Sequence, residues 1–475
     1  MLSLLNTTFT NTLRQGSTLI GSLLSKLKAR STYFENKACT KNTLGDLNSE
    51  GLLEKASIIT TPTAYSDGVL HSVKPSESPY ADFTFTRGAD LATRVNASGN
   101  IESIGVDLPR IDYRGGCGSL LLEPQATNTA TDSNDFTTGD IFVSSNDPSL
   151  ASATLTSAQA TSPDGTNNAW KLVDNNDSSS GATGFRYGGT VLVSRNYNTV
   201  SLFVKKQGNN DFIYIKIQNF DFTTTGLTYF NVSNGTLGNV ASGHTASIDD
   251  YGNGWYRVAL TFQTITDLVG QIQIYLATSN GNDSITRDGT NGAYIYGLQA
   301  ESHATREYAT SYIPTSGDIQ TRAADSATDA GSSDLISSTE GVLYAEISAL
   351  TNELDGTYKV ITLNNGIVDE YVLLGFTNTN NIYASVGGTF ISSLTPSDIT
   401  AFNKVAIKYE DNNSKLFING VQVGSTNTTA TVPSGLSRLG FDSGNGGSRF
   451  NVKTKDVRVY NTALTDLELQ TLTTI

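Results

Sequence analysis

Short runs of alternating apolar and polar residues, closed off by Asn-Gly or Asp-Gly pairs, fill most of this chain from about Ser57 onward. Phe83-Thr-Phe-Thr, Phe212-Ile-Tyr-Ile-Lys-Ile and Gln271-Ile-Gln-Ile-Tyr-Leu repeat with period two, the period of a strand whose side chains leave alternate faces. Asp164-Gly165, Asn234-Gly235, Asn253-Gly254 and Asn419-Gly420 supply the positive φ that tight hairpins require. Many short strands with frequent turns predict antiparallel sandwiches or jelly rolls and argue against βαβ units.

One early segment breaks the pattern. Leu19, Ile20, Leu23, Leu24 and Leu27 recur at helical spacing, with Ser22, Ser25, Lys26 and Lys28 between them. A lone amphipathic helix cannot bury its own stripe. Its partner is either the chain's own first domain or another subunit, and a sandwich that buries its apolar residues between sheets favours the other subunit. These five residues are therefore the expected assembly element. A second break comes at Ala323 to Ser333, small, polar and aperiodic, which reads as a linker open to proteases.

Charge narrows the function classes. The 31 basic and 45 acidic side chains leave a net charge of −14, and Lys26, Lys28 and Arg30 make the one basic cluster, so no nucleic-acid partner is expected. Met1 to Asn6 lacks a basic n-region, and no run approaches the ~20 apolar residues of a membrane span; neither a signal peptide nor membrane insertion is expected.

Three sets of motifs resemble phage structural and tail-fibre proteins. The first comprises Thr60-Thr-Pro-Thr-Ala-Tyr-Ser-Asp-Gly, Phe83-Thr-Phe-Thr-Arg87, Ala92-Thr-Arg-Val-Asn96, Pro109-Arg110-Ile-Asp-Tyr113 and Leu120-Leu-Leu-Glu-Pro124. The second comprises Asn168-Ala-Trp170, Gly252-Asn-Gly-Trp255-Tyr256-Arg257, Gly297-Leu-Gln299-Ala-Glu301, Ser311-Tyr-Ile-Pro314 and Thr321-Arg322-Ala-Ala-Asp325. It resembles the carbohydrate-binding-module-like jelly roll of phage fibres. The third, Lys415-Leu-Phe-Ile-Asn419-Gly420 with Val457-Arg-Val-Tyr460 and Leu464-Thr-Asp-Leu-Glu468, resembles the laminin-G/concanavalin-like lectin fold.

The resemblance implies a mainly β protein: two antiparallel β-sandwich domains, jelly-roll and lectin-like, preceded by a short N-terminal helical segment. The division expected is an anchor over 1–56, a β-rich connecting region over 57–128, a jelly roll over 129–325 and a lectin sandwich over 334–475. It also implies a virion location, a fibre or spike subunit or a head-fibre decoration protein, other virion proteins as partners, a homo-oligomer (a trimer in related fibres) and a host surface glycan as ligand.

Chemistry finds little support in the residues. His71, His244 and His303 are each isolated, away from any nucleophile elbow, and no Cys/His cluster has zinc spacing. Glu346, Asp369 and Glu370 are carboxylates of the kind a glycosidase pairs, but the expectation is a non-enzymatic protein without a cofactor. Asp174 to Asp177 and Asp442 to Asn445 offer hard oxygens for a structural calcium ion. For glycan, the alternation places Ile213, Ile215 and Ile217 opposite Tyr214, Lys216 and Gln218, and Ile272 and Ile274 opposite Gln273 and Tyr275. With the isoleucines inward, Tyr214, Lys216, Gln218, Gln273 and Tyr275 form the expected sugar platform.

Overall fold

The computed structural model describes residues 23–28, 51–60, 65–66, 68–75, 81–88, 91–137, 141–142, 153–191, 196–218, 226–264, 269–352, 356–367 and 369–475. The chain forms two compact units, neither continuous in sequence. One contains Met1–Gly88, Val106–Pro124 and Ala324–Ile475, and the other Ala89–Gly105 and Gln125–Ala323. We call them the C-terminal and central units. Both are antiparallel β-structures, as the alternation and turn residues predict.

The C-terminal unit is a sandwich of an eight-stranded and a five-stranded sheet. The larger sheet runs Val421–Asn427, Ser414–Ile418, Asn403–Glu410, Glu340–Ser348, Lys453–Tyr460, Ser119–Leu121 and Arg110–Asp112, with Ile58–Thr60 also paired to Lys453–Tyr460. The smaller runs Thr389–Leu394, Ile382–Val386, Tyr371–Phe376, Lys359–Asn364 and Arg438–Gly440. Leu343, Ile347, Val405 and Ile407 of the first meet Ile361, Leu363, Val372 and Leu374 of the second in the core.

The outer face of the larger sheet is covered. Val342, Tyr344, Ala406 and Phe417 pack under Leu469 and Leu472 of the C-terminal helix Asp466–Thr473, with Leu52 and Ala56 joining them. Thr465-Asp-Leu-Glu468 starts that helix as a capping box: the Thr465 hydroxyl accepts from the Glu468 N–H, and the Glu468 carboxylate accepts from the Thr465 N–H at 2.8 Å.

The polar stretch after Ala323 is not a linker. Asp325 and Ala327 are buried, and Ser326–Thr328 pairs with Phe83–Thr86. The reason is a buried ion cluster that composition cannot reveal. The Asp325 carboxylate accepts from Arg87 at 3.2 Å and from Arg110, while Arg110 also donates to Glu123 at 2.5 Å. The Asp325 N–H donates to the Glu123 carbonyl at 3.0 Å, and the Glu123 N–H donates to the Asp325 carboxylate at 2.9 Å. Each member comes from a different motif quoted above. Because Phe83, Phe85, Ile111 and Leu120 are part of the same core, residues 334–475 are not the whole of this unit, contrary to the expected boundary.

The central unit is a second sandwich, of two six-stranded sheets. Ile213, Ile215, Ile217, Ile272 and Ile274 of one sheet meet Val200, Leu202, Val204 and Val258 of the other, the inward placement that the alternation predicts. On the outer face of the second sheet, Phe203, Trp255 and Tyr296 pack with Tyr312, Val95 and Ile101. Strands Ala92–Val95 and Ile101–Ile104, from the region expected to be a connector, form a hairpin belonging to this unit.

Candidate functional site

The outer face of the five-stranded sheet carries an aromatic cleft. In Lys359–Asn364, Ile361 and Leu363 enter the core, so Val360, Thr362 and Asn364 face out. By register Leu373 lies opposite Thr362 and Ser385, and Ser385 lies opposite Phe390. One strand position away, Gly375 lies between Val360 and Tyr383. The hairpin joining the last two strands turns on Gly387 (φ +54°) and Gly388 (φ +73°), both in the left-handed region that a two-residue turn demands. This turn carries the chain from Val386 into the strand that holds Phe390.

Tyr358, Tyr371, Tyr383 and Phe390, floored by Val360 and Leu373, border an open cleft of about 300 Å³. The Tyr358 and Tyr383 rings lie 5.5 Å apart at 61°. Phe390 is 56% exposed and Tyr358 42%, so both present ring surface to solvent. Ser385, Ser443 and Ser448 add hydroxyls, with Ser385 donating to the Thr389 carbonyl at 2.9 Å. Tyr371 donates to Asp369 at 3.3 Å. Burial, followed by the neighbouring Tyr371 and Tyr358, pushes the Tyr383 hydroxyl above the ordinary tyrosine range, and burial with the Asp369 charge does the same for Tyr371. Both therefore stay neutral, able to donate and to accept, through the physiological range.

The residues expected to form a sugar platform are arranged differently. Tyr214 and Tyr275 are cross-strand partners on the face opposite the isoleucines, with ring centroids 5.2 Å apart. They are nonetheless buried, at 1% and 3% exposure, together with Tyr229. The Tyr214 hydroxyl donates to the Asp283 carbonyl at 3.1 Å. Gln273 is buried as well, and Lys216 is half-buried. The Gln218 side chain lies outside the described residues. Alternation fixes the side of the sheet on which a ring emerges, but not what is packed over it, and here the rings form a small core of their own.

Of the expected assembly stripe, Leu19 and Ile20 lie outside the described residues. Leu23, Leu24 and Leu27 are 44%, 61% and 63% exposed. Lys26 is buried and pairs with Asp82 at 3.3 Å, so this short helix shows its apolar side outward.

The loops considered for calcium use their carboxylates locally. Asp174 accepts from the N–H groups of Asp288 and Asn291, and Asp442 from the Gly444 N–H at 2.7 Å. Among the described residues no three His, Cys, Asp or Glu side chains are grouped as metal ligands. Of the histidines, His71 contacts Asp82 at 3.3 Å and His244 contacts Thr228 at 2.8 Å. Glu346 is buried in the larger sheet, Glu370 accepts from Asn365, and Asp369 holds Tyr371. Among the described residues no helix is long and apolar enough to cross a membrane.

Residues 351–470 match the concanavalin A-like lectin/glucanases superfamily. The matched segment contains the whole five-stranded sheet and its cleft. No curated protein matches the chain. Among solved structures, the chain is 19% identical to the Ruminococcus gnavus IT-sialidase CBM40 bound to α2,3-sialyllactose, covering 29% of this chain and 84% of that one with a TM-score of 0.24. It is 17% identical to Trypanosoma rangeli sialidase, covering 31% and 25% with a TM-score of 0.26. It is 13% identical to the CBM22-1–GH10 modules of the Clostridium thermocellum xylanase Xyn10B, covering 40% and 30% with a TM-score of 0.23. Similarity this low carries nothing about ligand or activity.

Proposed function

We propose that this chain is a non-catalytic, glycan-binding structural subunit of a phage particle, a fibre or spike, and that the cleft of Tyr358, Tyr371, Tyr383 and Phe390 holds the sugar. The observation that carries this reading is exposed aromatic surface of Tyr358 and Phe390 beside hydroxyls on the outer face of the five-stranded sheet, within the segment that matches the concanavalin A-like lectin/glucanases superfamily. Aromatic faces suit the C–H side of a sugar ring, and hydroxyls its edge. Binding clefts occupy roughly 300–1,000 Å³, which places this one at the small end and implies weak binding per site. Several copies in one oligomer would convert weak sites into firm attachment.

The virion role is supported by the phage-like motif sets. Their dispersed charged residues meet in one buried cluster, Arg87, Arg110, Glu123 and Asp325. Assembly through a second copy is supported by the outward stripe Leu23, Leu24 and Leu27.

The test is a glycan array that includes host-type surface polysaccharides, probed with the full chain and with Tyr358→Ala/Phe390→Ala. Binding by the wild type and its loss in the variant are expected, with no new reducing ends on prolonged incubation. A wild type that binds nothing, or a variant that binds equally, would sink the reading. New reducing ends would replace it with a hydrolase.

A further inference from the structure

A second cleft opens on the same outer sheet face. It is smaller, about 220 Å³, and is lined by Asp329, Asn364, Arg438, Gly440, Asp442 and Gly444 among others. Asn364 and Gly440 face the same way as Thr362 and Val360, because Leu363 and Leu439 between them enter the core. Asn364 is also the cross-strand partner of Tyr371, which lines the aromatic cleft. The two clefts are thus one strand position apart along a single sheet.

The loop 442–448 forms the wall between them. Its Asp442, Gly444 and Gly446 line the smaller cleft, and its Ser443 and Ser448 line the aromatic one. Strand Lys359–Asn364 fixes the loop at both ends: the Thr362 hydroxyl donates to the Asp442 carbonyl at 2.7 Å, and the Val360 N–H donates to the Ser448 carbonyl at 3.2 Å. Within the loop, the Ser443 N–H donates to the Gly447 carbonyl at 2.9 Å. Gly444 passes so close to Asn364 that a Cβ there would fall 2.8 Å from the amide carbon. The wall is thin, and both of its faces are polar.

The chemistry of the two clefts differs and is complementary along a sugar chain. The aromatic cleft offers ring faces and hydroxyls, with no Asp, Glu, Lys, Arg or His among the described residues of its lining. The smaller offers two carboxylates and one guanidinium, the last paired to Asp329 at 3.6 Å, while the buried Asn364 amide already donates to the Thr362 hydroxyl and accepts from the Gly366 N–H. Carboxylates are suited to accepting hydrogen bonds from sugar hydroxyls. Among the described lining residues, an anionic sugar would meet one cation, Arg438, already paired to Asp329, and two carboxylates in the second cleft, a like-charge arrangement that selects against it. Arg449, immediately after the loop, donates to the Gly446 carbonyl at 3.3 Å.

Resting on the glycan-binding reading above, we infer that the two clefts are adjoining subsites of one surface and that the ligand is an uncharged glycan chain. Such a chain spans at least two sugar units, one stacked on the exposed rings of Tyr358 and Phe390 and the next hydrogen-bonded at Asp329, Asp442 and Arg438. The loop 442–448 lies under the linkage between them.

The test uses the full chain and an array of gluco-, galacto-, manno- and xylo-oligosaccharides graded from monomer to hexamer, with sialyllactose and oligogalacturonate as acidic probes. Positive sugars are then titrated into wild type and Asp329→Ala/Arg438→Ala, a pair half-exposed and outside the core. Affinity should rise from the monomer to the short oligomers and then level off, with the acidic probes not retained. The variant should bind the monomer as the wild type does and lose about five- to tenfold on oligomers, the loss of one or two exposed hydrogen bonds. Affinity that is flat with length, preference for acidic probes, or an oligomer affinity unaffected by the variant would overturn the two-subsite inference and leave the glycan reading standing. Silence from every sugar would remove the glycan reading and this inference with it.

Discussion

Two outer sheet faces, one in each unit, carry rows of tyrosine and meet opposite fates. In the central unit Tyr214, Tyr229 and Tyr275 stand together, closed off from solvent. In the C-terminal unit Tyr358, Tyr371, Tyr383 and Phe390 surround an open cleft. Both rows stand opposite an apolar core face, so pattern alone ranks them equally. What separates them is the covering: the first cluster is buried and hydrogen-bonded at Asp283, whereas Tyr358 and Phe390 keep about half of their surface in water. An aromatic row is a binding surface when it is left open and a secondary core when it is not.

The largest effect expected from this contrast is on stability. Tyr214→Ala/Tyr275→Ala removes two buried rings and should destabilise the central unit by at least about 3 kcal/mol, in the range of other large aromatic truncations. Glycan binding per folded molecule should not change. A variant with an unaltered melting temperature would break the contrast, because its rings would then be solvent-facing after all. Asp325→Ala tests the unit that bears the open cleft. It removes the carboxylate that Arg87 and Arg110 share, leaving Arg110 with Glu123, and should cost about 3–5 kcal/mol, measured by denaturant unfolding; a cost below about 1 kcal/mol would show that the cluster is not a structural tie.

Tyr358→Ala/Phe390→Ala should do the reverse of the central-unit variant. Binding should weaken by more than about tenfold while the melting temperature stays within about 2 °C, since exposed rings contribute little to folding. The smallest effect is alkaline. Burial, then Tyr275 and Asp283, raises the Tyr214 hydroxyl above its ordinary value, and burial with Asp283 raises Tyr229. A raised folded value means that the stabilisation is complete below the unfolded tyrosine pKa of about 10 and is lost as pH climbs beyond it. Urea midpoints of the central unit should therefore be level up to about pH 9 and fall above pH 10, and Tyr214→Phe should soften that fall. Equal slopes for wild type and variant would contradict the buried, neutral state of this hydroxyl.

Much of the fold is legible in the sequence. The inward isoleucine rows at 213–217 and 272–274, the antiparallel architecture and the concanavalin-like similarity of the C-terminal segment all follow from alternation, turn residues and motif resemblance. The domain boundaries do not, because the strands at 58–60, 110–112 and 119–121 join the sheet containing 340–348 through contacts far apart in sequence. Nor does the burial of Asp325: small polar residues look like a linker unless their ionic partners are known. The cleft left a partial signal. Tyr371-Val-Leu and Tyr383-Ala-Ser alternate like the central strands, but placing Phe390 opposite Ser385 requires the Gly387-Gly388 turn and the shifted register beyond it.

Hydroxyl-radical footprinting of the full chain, with and without the glycan it retains most strongly on the array, tests the contrast in one experiment. Oxidation at Tyr358 and Phe390 should be high in the free protein and fall on binding, while Tyr214 and Tyr275 stay low and unchanged in both states. Protection at Lys216 or the central tyrosines with none at Tyr358 and Phe390 would contradict the assignment and return the sugar to the central unit.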